Sequence, residues 1–336
     1  MDADVAARRL GLGEQARDWL AQAAELRPPE GGVDPPPASR ARRALAPLGL
    51  DPADEDEIVA LWPDASWPGE LLWVVETMYA RLADDLLRER TAWRDWPVLV
   101  HAPDARVRCS VLVALAAAAP LVLAAHARSG VPASVSAATL ADTGRHVAQT
   151  RAMFGRLGLE TATWIALPFR CGLYELGRLQ YEPDRVHAEG AVRWYPPEEA
   201  AALGPEFVRG APVLRIHIPA AGPLDPARVE ESLARARDFF AEHFGLDYPL
   251  AACSSWLLDP QLAQYLPESS NILAFQRRFT LVEQDTPGDA DVFRFVFGLP
   301  EVDTGRAPQR SRLEKAVVQH LEAGGRWRVP TGWLRL

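Results

Sequence analysis

Apolar positions in the first half of the chain recur at three- and four-residue spacing. In the second half they gather into short runs separated by helical stretches. Over residues 69–90, Leu71, Leu72, Val75, Met78, Tyr79, Leu82, Leu86 and Leu87 trace one face of a long helix. Residues 2–26 put Leu10, Trp19, Leu20, Ala23 and Leu26 on one helical face, with a start weakened by Gly11 and Gly13. A Pro/Gly-rich linker follows at 27–38. Acidic residues after Asp51 suit the beginning of another helix. Residues 107–128 are almost wholly apolar and predict a buried helix pair split at Pro120. Residues 136–157 are helical again.

From residue 171 the pattern alternates. Residues 171–182 predict a strand bent at Gly177, and 191–195 a short strand. In the strand at 213–218, Val213, Arg215 and His217 share one face while Leu214, Ile216 and Ile218 share the other. A Pro/Gly turn then leads into a helix over 225–244, with Asp225 as N-cap, Pro226 at the first position and Gly245 as the stop. A strand feeding a helix through small residues leaves backbone N–H groups able to hold a phosphate. Strands at 250–258, 292–297 and 327–336 alternate with helices opening at Asp259-Pro260, at 270–279 and at 310–323. The expected class is α+β. An all-α domain over 1–170 precedes a mixed α/β sheet domain over 171–336.

Length and composition narrow this further. A chain of 336 residues, 48% hydrophobic and 24% charged, is of globular type and long enough for two domains. A formal net charge of -9 argues against a nucleic-acid partner. The three cysteines, Cys109, Cys171 and Cys253, lack CxxC spacing, so neither a disulfide framework nor a metal site is expected, and a reducing cytoplasm is the simpler setting. No apolar core follows the N-terminal charges, so no secretory signal is expected. The apolar run at 111–125 falls short of the ~20 residues that cross a membrane.

The segments GRLQYE, LRIHIPAAGPLDP, ACSSWLLDP and LPESSNILAFQRRF resemble bacterial acyltransferases that join a helical N-acyltransferase N-terminal domain to a GNAT-like C-terminal domain. The resemblance covers most of the chain after about residue 40. It implies that acyl-CoA enters a splay between the strands at 213–218 and 250–258. Pantetheine would pair with the backbone near Ile218, and the diphosphate would meet Ala220, Ala221, Gly222 and the helix at Asp225. The GNAT diphosphate turn usually carries R/Q-x-x-G-x-G/A, whereas residues 219–224 read Pro-Ala-Ala-Gly-Pro-Leu.

Several residue types fit amide formation from a thioester. His217 suits a base that takes the amine proton near neutral pH. Glu182 and Gln180 alternate with Leu179 and Tyr181 on a neighbouring strand, so Glu182 is a second base or part of a solvated sheet edge, and Tyr265 an acid for the departing thiolate or a ring packed in the core. Ser254, Ser255 and Asn271 could hydrogen-bond the co-substrate, although the cluster around Asn271 also reads as a helix cap. Arg178, Arg215, Arg277 and Arg278 are phosphate ligands by type. Cys253 reads as a small core residue, since no base or nucleophile elbow accompanies it. Trp62, Trp67, Trp73, Trp93 and Trp96 read as core, or as the wall of an apolar pocket. The expected activity is transfer from acetyl-CoA or another acyl-CoA to a small-molecule amine, with no nucleic acid and no membrane. The alternative is a non-catalytic ligand-binding protein that keeps a degenerate GNAT-like fold.

Overall fold

The structure is a computed structural model and describes residues 1–26, 35–91, 94–187, 194–282 and 286–336. The chain divides into two compact units, Met1–Tyr174 and Glu175–Leu336. Trp93, most of the 27–38 linker and residues 191–193 of the expected strand lie outside the described residues.

The first unit is helical: α1 (Ala3–Leu10), α2 (Glu14–Ala23), α3 (Ala41–Leu45), α4 (Pro52–Ala60), α5 (Gly69–Leu87), α6 (Ala105–Arg128), α7 (Ala133–Phe154) and α8 (Ala162–Ile165). The single helix expected over 2–26 is two. Asp2 caps α1 through the amides of Asp4 and Val5, and Gly11 ends it at φ 66°, a left-handed conformation that glycine adopts without strain. The split expected at Pro120 does not occur, and α6 runs through it. An internal proline costs about 3 kcal/mol. Burial of each Val or Leu side chain contributes roughly 1.5–3 kcal/mol. Val107, Val111, Leu112, Val113, Leu115 and Val122 are all buried, so packing outweighs the break, and Pro120 itself sits on the exposed side. By length and composition α6 could cross a membrane, yet two-thirds of its most apolar window, 67%, is buried within the protein. Gly144 of α7 lies against the Gly49 carbonyl, where an added Cβ would come within 1.8 Å.

The second unit is built on a six-stranded mixed sheet of order β1-β2-β3-β4-β6-β5. Its strands are β1 (Tyr174–Glu175), β2 (Gln180–Arg185), β3 (Pro212–His217), β4 (Leu250–Ser254), β5 (Thr280–Val282) and β6 (Thr331–Arg335). The bent strand expected at 171–182 is a hairpin, turned at Gly177 (φ 89°). Helices α9 (Pro197–Leu203), α10 (Pro226–Phe244), α11 (Asn271–Gln276), α12 (Asp289–Val292) and α13 (Arg312–Glu322) complete the unit. The inner face of β2 and β3 carries Tyr181, Leu214 and Ile216, all buried. Ser232 of α10 fastens the hairpin there, donating to the Leu176 carbonyl at 2.7 Å and meeting the Tyr181 hydroxyl at 3.2 Å.

The expected strand at 292–297 is instead the end of α12 and one π-helical turn, Phe293–Phe297. Val292 and Phe293 are both buried while Phe295 is exposed, which is not the alternation of a half-buried strand. Acidic Asp289 and Asp291 favour a helix start, and the Asp289 carboxylate also accepts the Trp327 amide at 2.7 Å. Trp327, expected in the closing strand, is a core residue beside Trp256, Phe293 and Val317. Likewise β4 stops at Ser254, and residues 256–258 form a 3-10 turn.

Candidate active site

The two central strands are parallel, and their register covers only Leu214↔Ala251 and Arg215↔Ala252. Beyond that, β3 keeps its pairing with β2 out to His217, and β4 keeps its pairing with β6 out to Ser254. Each strand follows its outer neighbour, so the central pair parts at its C-terminal end. This is the splay expected between the two strands. Ile218 is the first residue beyond β3 on that side.

One face of β2 and β3 at this opening is polar. His217 Nε2 meets Glu182 Oε2 at 2.9 Å. Arg215 is directly opposite Glu182, with its Nε 4.0 Å from the carboxylate and Nη1 3.6 Å from Asp184. Gln180, opposite His217, donates to Glu175 at 3.0 Å. Burial pushes the Glu182 carboxyl up. The hydrogen bond from His217 and the charges of His217, Arg215 and His187 together outweigh burial and hold it below the ordinary glutamate value. Glu182 is therefore ionised near neutral pH. A carboxylate only accepts, so Nε2 of His217 carries a hydrogen and donates, and in the base form of the ring the lone pair is on Nδ1.

The turn at 219–224 is shaped from beneath by Arg178, which is 3% exposed. Its guanidinium donates to the carbonyls of Pro219, Gly222 and Pro223 at 3.1, 2.7 and 2.9 Å. Arg178 is thus a clamp on backbone and not the phosphate ligand its type suggested. The Pro219 carbonyl also accepts the Ala221 amide at 2.7 Å, so that amide, expected for the diphosphate, is bonded within the turn. Gly222 adopts φ 85° with no atom within 4 Å of an added Cβ, so the turn presents open backbone. The start of α10 is different. Asp225 caps it by accepting from the amides of Ala227 and Arg228, so the helix amides expected for the diphosphate are already occupied.

The other expected residues are placed as follows. Ser254 Oγ is 2.7 Å from Thr331 Oγ1 on β6. Ser255 Oγ accepts the Leu257 amide and caps the 3-10 turn. Ser270 caps α11, and Asn271 is its first residue, partly exposed. The Tyr265 hydroxyl lies 3.0 Å from His320 Nδ1, and His320 Nε2 faces the Arg326 carbonyl, so Tyr265 donates to the imidazole. Arg277 donates to the Glu268 carbonyl, and Arg278 pairs with Glu230 beside Pro226. Cys253 is buried, and burial pushes its thiol up to about 12, which removes it as a nucleophile near neutral pH.

A mixed sheet whose central parallel pair parts beside a polar strand end defines a GNAT-like class of fold. Residues 39–171 match the N-acyltransferase N-terminal domain, and residues 173–334 match the GNAT-like C-terminal domain. No curated protein sequence matches the chain. Among solved structures, an acyltransferase in complex with decanoyl-CoA and teicoplanin is 34% identical, with both chains covered over 100% of their length and a TM-score of 0.86. An acyltransferase mutant in complex with octanoyl-CoA has the same identity, coverage and TM-score. A complex with decanoyl-CoA alone is 35% identical over the same full coverage, again with a TM-score of 0.86. The chain belongs to this family of two-domain acyltransferases, with an N-acyltransferase N-terminal domain and a GNAT-like C-terminal domain.

Proposed function

We propose that the protein transfers a medium-length acyl chain from acyl-CoA to an amine of a large acceptor, with the thioester seated where β3 and β4 part. The carrying observation is the His217–Glu182 pair at the end of β3, beside that opening. The amine nitrogen attacks the thioester carbon, the C–N bond forms and the C–S bond breaks. His217 takes the amine proton at Nδ1 and returns it to the departing thiolate, so the products are an amide and free CoA. Glu182 fixes the imidazole tautomer and stabilises the imidazolium. The backbone N–H of Ile218 polarises the thioester carbonyl, and the exposed backbone around Ala220 and Gly222 receives the diphosphate.

The relatives with octanoyl- and decanoyl-CoA support a chain longer than acetyl, and those with teicoplanin support a glycopeptide amine over a small one. The test incubates the protein with decanoyl-CoA and a teicoplanin-type glycopeptide bearing a free amine. Mass spectrometry should show the acceptor gaining one acyl group, with CoA thiol released in equal amount. Saturable decanoyl-CoA binding without thiol release would instead identify a non-catalytic binding protein.

A further inference from the structure

A second site lies within the helical unit. Asp85 of α5 is fully buried, and three guanidiniums converge on it. Arg170 Nε lies 2.8 Å from Asp85 Oδ2, Arg81 Nη1 3.6 Å from Oδ1, and Arg94 Nε 3.7 Å from Oδ2. Arg170 also donates to the Arg90 carbonyl at 2.8 Å. Arg81 is only 8% exposed, and among the described residues its only ion pair is the long one to Asp85, with no hydrogen bond. Burial pushes the Arg81 guanidinium below its ordinary value, the sign of a cation short of partners.

Buried charges in folded proteins are paired and hydrogen-bonded. One carboxylate among three guanidiniums leaves an excess of two positive charges. A cavity of about 350 Å³ opens on this excess, lined by Arg81, Arg94, Trp19 and Gln22, with Asp18 and Asp95 among its exposed acidic residues. Asp18 is already paired with Arg17 at 2.7 Å. Arg81 is the more buried of the two lining cations, at 9% side-chain exposure against 39% for Arg94. The Trp19 indole, anchored by its N–H to the Asp95 carbonyl at 2.8 Å, presents a flat apolar wall.

We propose that this cavity binds a phosphate monoester, with the dianion between Arg81 and Arg94 and the organic group against Trp19. A dianion complements the two guanidiniums that line the cavity, Arg81 and Arg94, and the planar guanidinium fork fits phosphate oxygens. The monoester is either a separate small molecule or the phosphomonoester of CoA itself.

Phenyl phosphate titrated into the full-length protein at fixed ionic strength tests this by calorimetry. One saturable site per chain is expected, weakened at least tenfold in Arg81→Gln and in Arg94→Gln. Arg94 is partly exposed, so its variant reports even if Arg81→Gln fails to fold. CoA that leaves phenyl phosphate bound identifies a separate ligand. CoA that displaces it from wild type identifies the CoA phosphomonoester as the occupant. No saturable binding to wild type, or wild-type affinity in folded Arg94→Gln, overturns the proposal.

Discussion

Arg178 does its work through three backbone carbonyls, and that makes a sharp prediction. Replacing it with alanine frees the 219–224 turn by removing the guanidinium donor shared by the Pro219, Gly222 and Pro223 carbonyls. KM for acyl-CoA should rise at least tenfold while kcat changes little, because in the proposed function the turn holds the diphosphate and not the reacting atoms. Arg178→Lys should not restore binding, since an ammonium cannot reproduce a planar fork spread over three acceptors. Steady-state kinetics with both variants decide it, and wild-type KM in a folded Arg178→Ala would refute the clamp. Sequence could not supply this role. A guanidinium that holds carbonyls and one that holds phosphate are the same residue type until the chain is folded. His217 and Glu182 were legible because strict alternation placed each on a strand face, and the register then brought them together. The partner of Tyr265, His320, was not readable for a like reason, since it is far away in sequence.

Among the elements, α6 and α7 are joined by a buried polar contact, His126 Nδ1 to Ser136 Oγ at 3.0 Å. Burial lowers the His126 imidazole to about 4, and its Nε2 has no hydrogen-bond partner among the described residues. The folded value lies below the unfolded one of 6.5, so the unfolded chain binds the extra proton between them. Stability is therefore full above pH 6.5 and declines as pH falls toward 4, by on the order of 3 kcal/mol for this group. Thermal melts across that window should show the decline in wild type and a flatter curve in His126→Phe. Parallel curves would show that His126 is not the group responsible. Long periodic helices such as α5 and α7 were readable from spacing alone. The failures came where one residue decides the outcome: Gly11 in a left-handed turn, and Pro120 overridden by its neighbours' packing. The run at 292–297 failed for lack of length, since five or six apolar residues fit a strand and a helical turn equally well.

On the scale of the whole molecule, the change from helical to alternating periodicity near residue 171 was visible in the sequence, and the chain divides into its compact units between Tyr174 and Glu175. The sheet order was not. Placing β6 between β4 and β5 needs pairing between residues 250–254 and 331–335, which no local pattern encodes. That pairing draws β4 away from β3 and creates the opening beside His217. The most direct measurement of the proposed chemistry is turnover and decanoyl-CoA affinity measured together in His217→Ala. Loss of one general base should lower kcat by roughly a hundredfold to ten-thousandfold. Decanoyl-CoA affinity should stay within a factor of about two of wild type, because the base acts on the amine. Wild-type turnover in the folded variant would contradict His217 as the base, and loss of affinity together with turnover would make it a binding residue instead.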